Sequence, residues 1–175
     1  MNAFEKIVGL ILEERGYWIR KSVKVEISEK DKTEIGKFKP RPEIDIVALN
    51  MKQNELLLIE VKSFLDSPGV KYNAIFGENE RYKLLSDSKF QRIVSNNIKE
   101  DYIRKGLVSQ KTEIKFALAA GKIKVGDQKK IKEHFDRNKW ILIAPEEIRE
   151  EISKMATKGW EDDEVVMTAK LILRK

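Results

Sequence analysis

Charged side chains interrupt two strongly apolar segments between residues 43 and 62. The segments EIDIVALN and ELLLIEVK are joined by the polar stretch MKQN, and they contain Asp45, Glu60 and Lys62. Burying a charge costs several kcal/mol of folding free energy unless the charge is paired, hydrogen-bonded or bound to a metal. These residues therefore predict a functional site within otherwise buried strands.

An antiparallel hairpin with a two-residue loop at Lys52 and Gln53 would place Asp45 opposite Glu60. Directly opposed residues have Cβ atoms roughly 4.5–5.5 Å apart, and like charges at that distance are destabilising. Because side chains alternate between faces of a strand, Lys62 would share the face of the two carboxylates. A divalent cation between the carboxylates would relieve their repulsion. The same face would carry the apolar residues Val47, Leu49, Leu56 and Leu58.

The ligand types favour Mg²⁺ or Mn²⁺, because hard carboxylate oxygens suit these ions. The chain has no cysteine and only one histidine, His134, which excludes thiolate and multi-histidine zinc sites. A cation held by carboxylates can polarise a phosphate and activate a bound water. A neighbouring ammonium such as that of Lys62 can stabilise charge that develops in the transition state. This combination predicts hydrolysis of phosphodiester bonds.

The elements that must position these residues follow from periodicity. Helical spacing of apolar residues predicts an N-terminal helix that ends at Gly16, and a strand follows it. The two hairpin strands come next, and then a helical and loop segment at about 66–112 with a break near residues 86–89. A strand, a helix, a short strand and C-terminal helices at about 145–175 complete the chain. This order predicts a single α/β domain over residues 1–175, with a mixed sheet flanked by helices.

The charge distribution favours a polyanionic partner. The net charge is +6, and residues 15–41 and 111–139 each contain nine Lys and Arg residues against four Asp and Glu residues. We expect the basic loop before the hairpin to contact phosphates without reading sequence. The alternative is a solvated loop. The candidate contacts are Lys30, Lys32, Lys37, Lys39 and Arg41.

Membrane and secretion signals are lacking in this sequence. No apolar run approaches 18 residues, and no basic and then apolar leader with a cleavage site is present. We therefore expect no membrane partner and a cytoplasmic protein.

The string formed by Asp45, fourteen intervening residues and Glu60-Val61-Lys62 resembles the PD-(D/E)XK motif of restriction-endonuclease-like nucleases. Pro42 lies three residues before Asp45, whereas in the motif it is adjacent. Together with FEKIVGLILEERGY, these segments are similar to archaeal Holliday junction resolvases and Mrr-like endonucleases over roughly residues 1–65.

The resemblance implies a restriction-endonuclease-like core and a Mg²⁺- or Mn²⁺-dependent endonuclease that cleaves DNA. It implies a metal site of Asp45, Glu60 and the Val61 carbonyl, with Lys62 catalytic and Glu5 assisting a metal or a water. It also implies a homodimer, for which the C-terminal helix offers a contact surface. The contact candidates are Met167, Leu171 and Ile172.

Alternatives remain for the site and for the function. Glu14 competes with Glu5 as the helix carboxylate, and Lys62 could simply pair with Glu43 or Glu60 in a structural hairpin. A non-catalytic nucleic-acid-binding module with a nuclease-like fold is the rival function. An RNA-directed nuclease would use the same site.

Overall fold

The computed structural model of the 175-residue chain describes residues 2–35, 41–77 and 80–174, with only the backbone described at residue 80. The helices are α1 (Ala3–Glu14), α2 (Glu29–Glu34), α3 (Tyr72–Phe76), α4 (Lys83–Ser86), α5 (Ser88–Arg104), α6 (Gln128–Arg137), α7 (Pro145–Ala156) and α8 (Glu164–Leu173). The strands are β1 (Trp18–Lys24), β2 (Glu43–Asn50), β3 (Glu55–Lys62), β4 (Glu113–Ala120) and β5 (Ile141–Ile143). A single 3₁₀ turn, Glu80–Tyr82, precedes α4.

The strands form one five-stranded mixed sheet in the order β1-β2-β3-β4-β5. The pairs β1–β2 and β2–β3 are antiparallel, whereas β3–β4 and β4–β5 are parallel. The parallel connections need crossovers, which the helical segments between β3 and β5 provide. The predicted α/β architecture, with a mixed sheet flanked by helices, is confirmed.

Helices cover both faces of the sheet, so the chain has core packing on each side. On one face α1, α7 and α8 pack against alternate residues of β2, β3 and β4, including Ile59 and Val61. On the other face α4 and α5 cover Val47 and Leu58, while α3 and α6 cover the C-terminal part of β4. Burial on both faces explains why β3 is nearly continuously apolar.

The hairpin between β2 and β3 has the predicted register but a longer loop. The pairs run from Ile46 with Ile59 to Asn50 with Glu55, so the loop has four residues rather than two. Asn54 ends it with φ of 53°, a left-handed conformation that asparagine tolerates better than most residues. As predicted, Val47, Leu49, Leu56 and Leu58 contribute to one apolar cluster.

Local signals explain α1. The Asn2 side chain accepts a hydrogen bond from the Glu5 amide, and the Glu5 carboxylate accepts one from the Asn2 amide, which makes a capping box. The helix ends before Gly16, whose φ of +82° is the left-handed conformation that glycine adopts without strain. The predicted end of the first helix is confirmed.

Two segments predicted as loops contain short helices. The basic loop begins with α2, which is capped by the Ser28 hydroxyl, and the loop after β3 contains α3. The break predicted near residues 86–89 lies at Asp87, which ends α4 and caps α5. Among the described residues, no helix is long and apolar enough to cross a membrane.

Candidate active site

Strand β3 carries Glu60 and Lys62 on the face opposite α1. Their neighbours Ile59 and Val61 belong to the core beneath α1, so strand alternation directs Glu60 and Lys62 to the other face. The Glu60 and Lys62 side chains are 17% and 19% exposed, and the Lys62 ammonium donates to the Glu60 carboxylate. This ion pair is one of the contacts that a purely structural hairpin predicts. A purely structural hairpin does not explain the second carboxylate, that of Asp45, next to this pair.

Asp45 lies where the pairing of β2 becomes irregular on both sides. The β2–β3 ladder begins only at Ile46 and Ile59, and Asp45 Oδ2 instead accepts a hydrogen bond of 2.7 Å from the Val61 amide. On the other side, the β1–β2 register runs from Lys21 with Ile46 to Val23 with Ile44 without a pair for Asp45, and Ser22 between the two β1 residues has φ of +50°. The predicted direct pairing of Asp45 with Glu60 is therefore replaced by a contact from the Asp45 side chain to the β3 backbone.

The electrostatics of this cluster are unbalanced. Burial raises the pKa of Glu60, the positive charge of Lys62 lowers it, and the negative charge of Asp45 raises it again. The net direction is upward, because one ammonium does not offset burial together with a second carboxylate. The cluster therefore carries a local surplus of negative charge when both acids are ionised.

Each carboxylate presents one oxygen with no hydrogen bond from the described residues. Asp45 Oδ2 is occupied by the Val61 amide and Glu60 Oε1 by Lys62, which leaves Asp45 Oδ1 and Glu60 Oε2. Two hard oxygens beside a surplus negative charge fit a Mg²⁺ or Mn²⁺ ion, which completes its shell with water. Within residues 2–35, 41–77 and 80–174, no three Asp, Glu, His or Cys side chains form a metal-binding group.

Tyr82 joins the site although nothing in the sequence singled it out. Lys62 Nζ lies 5.8 Å from the centre of the Tyr82 ring, and the tyrosine is 2% exposed. Burial, followed by the charge of Glu60, raises the pKa of Tyr82 to about 12. The hydroxyl therefore stays protonated at neutral pH. An aromatic residue at helical spacing is typical of a core, so the sequence offered no signal for this contact.

The structure does not bring Glu5 into one group with Asp45 and Glu60. Glu5 lies in the first turn of α1, on the opposite face of the sheet, and its carboxylate accepts from both nitrogens of Asn2. That end of α1 does approach the end of β3. The Phe4 ring lies about 3.1 Å from where a Cβ on Gly121 would be, and the Gly121 amide donates to the Lys62 carbonyl at 2.9 Å. The role of Glu5 stays a prediction.

Glu14, the competing candidate, lies at the other end of α1. It follows Glu5 by nine residues, which is about 14 Å along a helix. Its carboxylate pairs with the Lys158 ammonium at 2.5 Å. This ion pair gives Glu14 a structural partner remote from Asp45 in the chain, and it favours Glu5 over Glu14.

The predicted phosphate-contacting loop is partly neutralised by its own acids. Lys32 pairs with Glu29, Arg41 pairs with Glu26, and Lys30 is exposed. Lys37 and Lys39 lie outside the described residues. A phosphate would have to displace two of these internal partners, which weakens the expected contribution of this loop to binding.

Comparisons of the chain with protein-family models, with curated proteins and with solved structures find no match.

Proposed function

We propose that the protein is a metal-dependent endonuclease with a PD-(D/E)XK, restriction-endonuclease-like core that hydrolyses DNA phosphodiester bonds. The observation that carries this proposal is the arrangement of Asp45 on the Val61 amide beside the Glu60–Lys62 pair. The order of α1, three antiparallel strands, helices and a parallel β4 is compatible with such a core.

Asp45 and Glu60 would hold Mg²⁺ or Mn²⁺ through their free oxygens, with the Val61 carbonyl as a further ligand. The bound ion would supply Lewis acidity and an activated water for attack on phosphorus. With a cation bound to Glu60, the ion pair of Lys62 would be weakened, and the Lys62 ammonium could donate to a phosphate oxygen. The Tyr82 ring keeps the ammonium close by, since cations are attracted to aromatic faces.

Cleavage assays test the activity directly. Wild type and Lys62→Ala are incubated at low salt with labelled linear duplex, single-stranded and four-way-junction DNA, and with RNA of the same sequence, in Mn²⁺ or EDTA. We expect cleavage of DNA that requires both Mn²⁺ and Lys62. Lys105→Ala is the matched control, because it makes the same truncation at a lysine that pairs with Asp101 on the surface. DNA that is bound but left intact by wild type with Mn²⁺ would contradict the proposal.

Calorimetric titration with Mn²⁺ separates a nuclease site from a non-catalytic binding module without relying on activity. Wild type should bind the ion, and Asp45→Asn should lose most of the signal, because this variant keeps an acceptor for the Val61 amide but removes a negative ligand. A Glu113→Gln variant is the control for removing an exposed acid from the same sheet. Equal signals from wild type and Asp45→Asn would contradict the proposed metal site.

We also propose a homodimer, since two cuts in a duplex need two sites. Helix α8 exposes Met167, Leu171 and Ile172 to solvent in the single chain. Exposed apolar groups on one short helix are typical of an interaction surface. Sedimentation should show a dimer for wild type and a monomer for Leu171→Glu with Ile172→Glu. A monomeric wild type at micromolar concentration would contradict this.

A further inference from the structure

The loops that leave the C-terminal ends of β3 and β4 join beside the candidate site. Val70 and Ile123 form a parallel bridge, with the Val70 amide donating to the Lys122 carbonyl and the Lys124 amide donating to the Val70 carbonyl, both at 2.9 Å. Gly69 permits this approach. It has φ of +95°, and a Cβ there would lie about 2.8 Å from the Ile123 backbone.

This bridge directs three lysines to the outside. Val70 is fully buried and Ile123 partly buried against the same apolar cluster. Because side chains alternate in extended backbone, their neighbours Lys71, Lys122 and Lys124 face outward, and all three are exposed. We call these three residues the loop lysines.

The loop lysines make no ion pair among the described residues. The Lys122 ammonium donates a long hydrogen bond of 3.4 Å to the Leu65 carbonyl. The Asp127 carboxylate, the next acid along the chain, accepts instead from the Tyr72 amide at 2.9 Å. By contrast, Lys32 and Arg41 of the predicted phosphate-contacting loop have acidic partners. The loop lysines can therefore bind an anion without first breaking an ion pair.

Their position places them next to the catalytic candidates. Lys62 is paired with Ala120 in the β3–β4 register, and the following residue, Gly121, donates to the Lys62 carbonyl. Lys122 comes directly after it. An extended polyanion with one phosphate at Lys62 would thus pass over the loop lysines on leaving the site.

We propose that Lys71, Lys122 and Lys124 bind backbone phosphates of the DNA strand adjacent to the phosphodiester held at Lys62. The choice of DNA as the ligand rests on the proposed nuclease function. Contacts of this kind position the strand and carry no sequence information. They make binding salt-dependent, because each neutralised phosphate releases counterions.

Binding measured in EDTA tests this surface independently of cleavage. Fluorescence anisotropy with a labelled duplex across a salt series compares wild type with Lys71→Gln/Lys122→Gln/Lys124→Gln. The matched control is Lys30→Gln/Lys32→Gln/Arg41→Gln, which removes the same charge from the other loop. We expect the loop-lysine variant to bind at least about tenfold more weakly at low salt, with a log–log salt slope smaller by about 2 to 3. The control variant should change the slope by less than about 1.

Equal losses in the two triple variants, or an unchanged slope in the loop-lysine variant, would overturn the inference. The same salt series is run with RNA of the same sequence. If the loop-lysine variant loses affinity for the RNA and not for the DNA, DNA as the ligand is overturned. The proposed function fails separately, if wild type with Mn²⁺ cleaves nothing.

Discussion

Strand β3 carries a Glu–Lys pair at each end, and the two pairs differ in how completely they are satisfied. At the N-terminal end, the Glu55 side chain is 6% exposed, and each of its oxygens has its own donor. Oε1 accepts from the Tyr17 hydroxyl at 2.5 Å and Oε2 from the Lys115 ammonium at 2.8 Å. We call this group the closed cluster. It is a buried charge with every partner supplied by the fold.

At the C-terminal end, the Glu60 side chain is 17% exposed, and Asp45 adds a second negative charge beside the Glu60–Lys62 pair. One oxygen of each acid lacks a donor among the described residues. Structural ion pairs in proteins are normally satisfied, whereas unbalanced charges with perturbed pKa values cluster at functional sites. The comparison shows that a Glu–Lys pair on a buried strand does not by itself mark a site. The surplus negative charge and the carboxylate oxygens without a donor distinguish the Glu60–Lys62 pair from the closed cluster.

Removing the lysine from each pair should give the largest contrast. Lys115→Met leaves Glu55 buried with only Tyr17 as a donor, so we expect a loss of about 3 kcal/mol in the free energy of unfolding. Lys62→Met should cost less than about 1 kcal/mol, because Glu60 already has a raised pKa and can take up a proton. Urea unfolding in EDTA at neutral pH measures both. Equal losses would show that the Glu60–Lys62 pair is as structural as the closed cluster.

The two ends should also respond to pH in opposite ranges. The raised pKa of Glu60 means that the folded state binds its proton more tightly than the unfolded state does. This contribution to stability is complete below the unfolded pKa of about 4.3 and is lost as pH rises through the folded pKa. In the closed cluster, the hydrogen bond that the Lys115 ammonium donates to Glu55 raises the pKa of Lys115. Its contribution is complete below about pH 10.4 and is lost as pH rises through the folded value.

Urea unfolding of wild type and Glu60→Gln in EDTA, between about pH 4.5 and 7.5, isolates the acid-range effect. Wild type should lose stability relative to Glu60→Gln as pH rises, by less than the loss expected for Lys115→Met. A difference that stays constant over this range would show that Glu60 titrates at its ordinary pKa.

Strong periodicity made the main elements predictable from the sequence. The alternating apolar residues of β2 and β3 fixed their register, because a shift of one residue would move every apolar side chain to the other face. The predicted length of the loop between them was wrong, because the turn depends on the conformation of a few residues such as Asn54. Helix α2 was missed although Ser28, followed by Asp31, offered a capping signal.

The residues next to Glu55 and Glu60 in the sequence do not show which of the two glutamates has its hydrogen bonds satisfied by the fold. Both Glu55 and Glu60 lie in the same apolar strand, and the partners of Glu55 are 38 and 60 residues away in the chain. Only the folded structure brings Tyr17 and Lys115 to it. For the same reason, the face of the sheet that α1 covers was not predictable from spacing. The assignment of Glu5 depended on the motif and on its place one turn before Val8, at the edge of the apolar stripe of the helix.

Substitutions of Tyr82 give the smallest expected effect and test whether its ring positions Lys62 for cleavage. Tyr82→Phe keeps the ring beside Lys62 and should leave DNA cleavage almost unchanged. Tyr82→Leu removes the cation–π contact, which is worth about 0.5–1 kcal/mol, so we expect a two- to fivefold lower single-turnover rate at saturating DNA. Binding in EDTA should not change, because Tyr82 is buried and cannot reach the flanking phosphates.

The comparison of Tyr82→Leu with Tyr82→Phe separates this role from simple loss of packing. Both variants change a buried residue, so urea unfolding must accompany the rates, and assays are run well below either unfolding midpoint. If the ring positions Lys62, the rate in Tyr82→Leu falls while DNA affinity holds. A fall of rate in both variants would assign the effect to the hydroxyl instead. An unchanged rate in both would mean that the ring does not set the position of the ammonium during cleavage.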